Sequence, residues 1–330
     1  MTLVFTICSI NYLAQAQTLG NSLQLQNPEI EFVIGLVDRL DKVNIDKDKI
    51  PPFQLIEIDK INIPDFEEMC QHYNITELNT AVKPFFMDYF YKNRPDIQNV
   101  IYFDPDIIVY DKLDVMLNRL KQYQIIITPH INTPYKDNKR VTELDHLNCG
   151  LYNLGFIATS RGNDTYELIQ WWAKHLQKDC RIDLANGLFV DQHFINFAPI
   201  FWKNVLIESD WGWNVAYWNL HERQISKTDD NKFFINDKPL LFFHYSGFEL
   251  NKSTEVSKYQ DRIQFNERPD IAEVFEIYKK QLSLNHNQYF QTFKCFYVKP
   301  KTVKVKRYVR VRKYLRKPFE WAIHWIEKIG

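Results

Sequence analysis

Short apolar runs recur along the first 130 residues, separated by stretches with helical spacing. Residues 3–9 (LVFTICS), 31–37 (EFVIGLV), 54–58, 100–103 and 124–128 read as strands, and the near-continuous runs among them fit strands buried on both faces. Residues 13–25, 65–73, 79–91 and 111–120 read as helices. Pro84 stands early enough in its helix to be tolerated, and Gly20 is a mild weakness. This alternation predicts a parallel, doubly wound α/β sheet with ligands at the carboxyl ends of its strands. Ser9, Asp38 and Asp104 fall at such ends. Beyond residue 130 the alternation weakens. Residues 150–159 (GLYNLGFIAT) read as strand interrupted by glycine, and 164–176 as a helix with Asp164 at its N-cap. Residues 240–244 read as a strand running into HYSG, and 271–282 as a helix.

One strand breaks the pattern. In VIYFDPDIIVY (100–110) a hydrophobic run meets Asp104-Pro105-Asp106. Proline removes a ladder donor, so a central strand should end there. Two carboxylates at i and i+2 repel unless a cation lies between them. They are either a divalent-cation clamp with open positions for phosphate oxygens or a solvated turn.

The 330 residues suffice for one large domain or two small ones. Five scattered cysteines without CxxC spacing argue against a disulfide framework or a structural zinc site. The first residues lack a basic n-region, and no apolar run is long enough to span a bilayer, so a reducing cytoplasm is the expected location. The net charge of zero hides an asymmetry. Residues 299–330 hold eleven Lys or Arg against two Glu, a surplus of nine, which residues 1–298 offset with nine negative charges.

Several segments together resemble the family 8-like retaining glycosyltransferases of the GT-A fold, especially bacterial polysaccharide glycosyltransferases. They are TAVKPFF (80–86), VIYFDPDIIVY (100–110), TPH (128–130), GLYNLGFIA (150–158), WW (171–172), FVDQHFIN (189–196), WNVAYWNL (213–220) and FFHYSGF (242–248), within roughly residues 3–265. The resemblance implies a Rossmann-like doubly wound mixed sheet with a DxD motif in residues 1–285. A basic amphipathic, helical extension follows in 286–330. It further implies a hexosyltransferase that uses a nucleotide-sugar donor, most simply a UDP-sugar, with Mn²⁺ or Mg²⁺.

By the same resemblance Asp104, Asp106 and His244 hold the metal, which offsets charge on the departing nucleoside diphosphate. Lys83, Asn153, Gly155 and Gly247 contact the donor, as do Ser9, Tyr12 and Asp38 on the nucleotide side. Asp191 and Gln192 flank the anomeric carbon. A glutamine amide is a poor nucleophile, so same-face internal return with retention fits better than double displacement. His130 either meets the acceptor or hydrogen-bonds a loop. The sequence departs from the family by His193 after Asp-Gln and by lacking a Lys-Pro-Trp after HYSG; Lys252 or Lys258 would have to substitute.

The acceptor class implied is a polysaccharide or lipid-linked glycan. The tail rests on an anionic membrane at its inner face, docks on the acidic body, or packs on another subunit. No base-reading motif supports nucleic-acid binding. The rival readings are a nucleotidyltransferase and a silent sugar-nucleotide or glycan-binding module.

Overall fold

The structure is a computed structural model describing residues 1–250, 252, 254–298, 316, 319–321 and 325. It divides into Met1–Val298 and Lys299–Gly330. The amphipathic tail expected at 299–330 lies mostly outside the described residues.

Seven strands form the central sheet. They include β1 (Thr2–Cys8), β2 (Glu31–Leu36), β3 (Gln54–Glu57) and β4 (Asn99–Phe103). With β5 (Ile107–Val109) lying outside it, the sheet continues with β6 (Ile125–Ile127), β7 (Phe156–Ser160) and the edge strand Val205–Ile207. From that edge the order is β6, β7, β4, β1, β2, β3. All pair in parallel except β7, which runs against both β4 and β6. The sheet is therefore mixed, as expected of a GT-A fold, and not purely parallel as the strand–helix alternation alone suggested. Alternation along β1 feeds two cores. Leu3, Phe5 and Ile7 join the one containing Phe86, Phe90 and Trp172, while Val4 and Cys8 join the one containing Leu19, Phe242 and Phe275. Both faces are covered, which is why β1 and β2 read as unbroken apolar runs.

The helix α1 (Leu13–Gln26) follows β1, and α2 (Phe66–His72) follows β3. The single helix expected over 79–91 is two, α3 (Ile75–Ala81) and α4 (Lys83–Asn93). Pro84 cannot donate into a continuing helix, so it sits in the first turn of α4. Asn74 and Glu77 form a capping box that starts α3 earlier than hydrophobic spacing suggests. Further on come α5 (Asp114–Leu120), α6 (Glu143–Cys149) and α7 (Asn163–Asp179). The N-cap of α7 is Gly162, not Asp164. Asp164 instead accepts from the backbone and side-chain amides of Asn204, both at 2.9 Å.

Residues 286–298, expected in the extension, pack on the body. Phe290 enters the core, Cys295 Sγ donates to the Val37 carbonyl at 3.3 Å, and the Phe296 amide donates to Asp38 Oδ1 at 2.9 Å. Among the described residues no helix is long and apolar enough to cross a membrane. The strand order reverses direction between β1 and β4, and their adjacent carboxyl ends open the crevice where open α/β sheets bind ligands.

Candidate active site

β4 delivers the Asp-Pro-Asp turn to this crevice. The Asp104 amide donates to the Gly155 carbonyl at 2.7 Å, and the Ile107 amide to the Asp104 carbonyl at 3.2 Å. β5 then pairs antiparallel with the strand Phe242–His244, placing His244 opposite Ile107. The Tyr245 amide donates to the Asp106 carbonyl at 2.8 Å. Backbone pairing thus carries the histidine of HYSG to the carboxylates. His244 Nε2 lies 3.0 Å from Asp106 Oδ1 and 3.7 Å from Asp104 Oδ2. Ligand atoms of all three residues fall within 4.8 Å of one another.

His244 is buried, and among the described residues its Nδ1 has no hydrogen-bond partner. Burial depresses an imidazole, but Asp106 and then Asp104 outweigh it and hold His244 above its ordinary value. The Tyr102 hydroxyl donates to Asp104 Oδ1 at 2.6 Å and orients that carboxylate. Two carboxylates and an imidazole suit a hard-to-borderline divalent ion such as Mn²⁺.

Gly155 is a glycine because of His244. A Cβ there would lie 2.3 Å from His244 Cε1. The imidazole fills the space a Cβ would take, while Gly155 also lines the larger cavity. Gly155→Ala should therefore push the ring off the carboxylates and weaken Mn²⁺ binding by about ten-fold or more. Titration of the full chain followed by electron paramagnetic resonance reads this directly, and unchanged binding would remove His244 from the ligand set.

Two cavities meet at Asp104, sharing Thr76 and Thr80 as well. The smaller, about 190 Å³, is lined by Ser9, Tyr12, Asn79, Tyr102 and Asp106 among others. The larger, about 460 Å³, is lined by Lys83, His130, Asn153, Gln192, Trp218 and His244 among others. Four carboxylates line the pair (Asp104, Asp106, Asp145, Asp191) against two permanent cations, Lys83 and Arg140. Such a pocket repels a diphosphate unless a cation enters with it. A larger cleft of about 830 Å³, lined by Gln98, Lys121 and Arg161 among others, contains no such convergence.

Lys83 is neither a surface lysine nor free. At 2% side-chain exposure it lies 2.6 Å from Asp191 Oδ2, and its ammonium also donates to the Leu154 carbonyl at 2.6 Å. It sits 4.2 Å from the centre of the Tyr102 ring. Burial pushes the Asp191 carboxyl up, against the pull of Lys83. Asp191 stands at the N-cap of α8 (Gln192–Ile195) but makes no side-chain cap, since its carboxylate is turned to Lys83.

Gln192 is held on three sides. Its Oε1 accepts from Asn153 Nδ2 at 3.2 Å and from the Leu154 amide at 3.1 Å, and its Nε2 donates to the Cys149 carbonyl at 2.9 Å. Asn153 is fixed in turn, its Oδ1 accepting from Asn214 Nδ2 at 3.1 Å and from the Gly155 amide at 3.1 Å.

Other expected donor contacts are already engaged elsewhere. Asp38 is fully buried, and its oxygens accept from the amides of Ile10, Arg39 and Phe296. It is saturated by backbone, which corrects the expectation that it reads base or ribose. Ser9 is buried and donates to the Val37 carbonyl at 3.1 Å, yet it still lines the smaller cavity beside Tyr12, which is 44% exposed. Gly247 has φ +70°, and a Cβ there would lie 2.5 Å from the Tyr259 ring. A left-handed turn and close packing account for it, with no need for an approaching diphosphate. Lys252 pairs with Glu249 and Glu255, and Lys258 with Glu249. Neither lines the cavities.

Sequence reasoning missed Arg140, Tyr217 and Tyr259 on the larger cavity, and Asn79 on the smaller. Asn79 lies one residue before the TAVKPFF segment and was within reach. Arg140 belongs to a stretch without motif or periodicity.

No protein-family model matches the chain. It is 23% identical over 278 residues to the uncharacterized protein YfnF of Bacillus subtilis (strain 168), covering 84% of this chain and 90% of that one. It is 21% identical over 204 residues to YfnD of the same organism, also uncharacterized, covering 61% and 63%. Among solved structures it is similar to the galactosyltransferase LgtC, crystallised with donor and acceptor sugar analogs. That likeness has 14% identity, 86% of this chain, 96% of that one and a TM-score of 0.47. It is also similar to the glycosyltransferase GlyE of Streptococcus pneumoniae TIGR4, at 18% identity, 91% and 67% coverage and a TM-score of 0.46. Fold and site define a doubly wound, mixed-sheet α/β protein with a candidate Asp-Asp-His metal centre at its switch point.

Proposed function

We propose that the chain is a metal-dependent glycosyltransferase. It moves a hexose from a nucleotide-sugar donor, a UDP-sugar by the sequence resemblance, to a glycan or lipid-linked acceptor with retention. The observation that carries this reading is the convergence of Asp104, Asp106 and His244 where two carboxylate-rich cavities meet. A divalent ion bound there would offset negative charge on the departing diphosphate.

The chain's own residues divide the remaining work. Tyr12 offers an exposed ring in the smaller cavity, suited to stack on a base. The larger cavity takes the donor sugar and acceptor, with the Gln192 amide fixed in its wall. The Asp191 carboxylate is held by Lys83, so it positions the sugar and is not free to attack it. This supports same-face transfer, in which the leaving phosphate accepts the acceptor's proton. Arg140 makes no ion pair among the described residues, which makes it the cation available to a second phosphate. Arg140→Ala should raise the donor KM about ten-fold with a smaller change in kcat. The reaction fits the cytoplasmic face of a membrane where lipid-linked glycans are extended, with residues 299–330 as the surface contact.

The test is a donor screen. Purified protein is incubated with Mn²⁺ and UDP-, GDP-, CMP- and dTDP-sugars, and nucleotide release is followed with and without EDTA. Slow release from one donor, abolished by EDTA, supports the reading. Neither turnover nor metal-dependent donor binding would overturn it, and transfer of a nucleotidyl group would identify the rival enzyme.

A further inference from the structure

A second cluster of ligand atoms lies at the larger cavity, where His130 and Cys149 are among the lining residues. His130, His146 and Cys149 each offer one atom within 4.8 Å of the others. We propose that these three residues form a metal site of their own, for a borderline-soft divalent ion such as Zn²⁺.

The backbone builds the cluster from two segments. His146 and Cys149 are three residues apart on α6 and therefore share a face. His130 follows β6, where its amide donates to the Leu151 carbonyl at 3.0 Å, while the Asn153 amide donates to the Thr128 carbonyl at 3.0 Å. Residues 128–130 thus run beside the exit of α6. The imidazoles of His130 and His146 face each other, with centroids 4.8 Å apart and planes 27° apart.

Hydrogen bonding prepares His146 as a ligand. The Tyr135 hydroxyl has one proton and donates it to the Trp218 carbonyl at 2.7 Å. The 2.8 Å contact between that hydroxyl and His146 Nε2 must then be a donation from the imidazole. This fixes the Nε2–H tautomer and leaves a lone pair on Nδ1. Nδ1 is buried without a hydrogen-bond partner among the described residues, in a residue only 6% exposed. A buried acceptor with no donor is costly, and an ion would satisfy it. Tyr135 plays the part of the outer group that orients a metal-bound histidine. The Cys149 thiol makes a long 3.9 Å contact to the adjacent Gly150 carbonyl.

The donor set separates this site from the first. Two imidazoles and a thiolate select zinc-like ions, whereas two carboxylates and an imidazole suit manganese. Trp218 stands between them, nearly edge-on to both His130 and His244 with centroids 5.3 Å away in each case. Tetrahedral zinc sites space their ligand atoms roughly 3.3–3.6 Å apart, so binding requires the cluster to close by about 1 Å. Cys149 would surrender its proton to solvent as the metal–sulfur bond forms, and the ion's fourth position would face the cavity. His130 Nδ1 faces the Leu151 carbonyl at 3.3 Å and so carries the proton, which leaves the lone pair on Nε2, where Asn153 Nδ2 lies at 3.3 Å. An ion there would displace Asn153, and binding would act on Gln192 directly, because Asn153 Nδ2 also donates to Gln192 Oε1 and the Cys149 carbonyl accepts from Gln192 Nε2.

Co²⁺ titration of the chelator-treated full chain tests the proposal independently of any sugar transfer. Thiolate coordination gives a near-ultraviolet sulfur-to-cobalt band that a carboxylate–imidazole site cannot produce. We expect the band to saturate at one equivalent and to persist in Asp106→Asn. Its apparent affinity should fall by about ten-fold or more in both Cys149→Ser and His146→Gln. In thermal unfolding Zn²⁺ should raise the midpoint of the wild type by more than that of either variant, since both variants keep the Asp104/Asp106/His244 centre, and the metal-free midpoints show whether each variant folds. Absence of the band, or an undiminished band in a folded Cys149→Ser variant, would overturn the assignment.

Discussion

Asp106→Asn is expected to lower donor turnover by about 10²–10³-fold without loss of fold. The carboxylate faces His244 Nε2 at 3.0 Å and contributes one of the two negative charges of the candidate metal centre. An amide of the same size keeps an oxygen but loses the charge that draws a divalent ion. The backbone around it does not depend on the side chain, because the Tyr245 amide still finds the Asp106 carbonyl and β5 still pairs with Phe242–His244. The loss should be partly recovered at high Mn²⁺, since weakened affinity and not a missing catalytic group is the cause. Steady-state rates across a Mn²⁺ series, beside circular dichroism, measure both. Wild-type turnover in the variant, unchanged by EDTA, would remove the metal from the reaction.

Lys83→Met should cost about 3–5 kcal/mol of stability, because it strands the Asp191 carboxylate in the core. Both side chains are almost inaccessible, at 2% and 3%, and their 2.6 Å contact spans 108 residues of sequence. The ammonium also satisfies the Leu154 carbonyl, so its removal leaves two acceptors unpaired. Urea denaturation of the single variant measures the cost. The double variant Lys83→Met/Asp191→Leu supplies the control, since replacing both charges with apolar groups should recover most of the stability. It should not recover activity if Asp191 positions the sugar. A Lys83→Met protein as stable as the wild type would mean that the pair is not ionised.

The sequence made the strands legible because burial on both faces leaves unbroken apolar runs, as in β1 and β2. It could not show that β7 runs antiparallel, since a strand's hydrophobic pattern is the same in either direction. The break at Val82 was legible in principle. Pro84 is tolerable near the start of one long helix, but it marks the beginning of a separate one. In the site, Asp104, Asp106 and His244 could be found because each belongs to a motif with its own backbone role. The Lys83–Asp191 pair could not, because nothing local to either residue announces the other. Asp38 shows the converse failure. The sequence marks a carboxylate at a strand end, but one of the three amides that occupy it comes from Phe296, far outside any local window.

That last contact bears on how the protein is made. Asp38 closes the wall behind Ser9 by accepting from Ile10 and from Phe296, which lies 258 residues further along the chain. Cys295 reaches the Val37 carbonyl over the same separation. During synthesis at about 5–20 residues per second, roughly 13–50 s pass between the appearance of the carboxylate and that of its last partner. The wall behind Ser9 therefore completes only when the body is almost fully translated. Nascent chains arrested before residue 296 should leave this wall more accessible to protease than the released protein does.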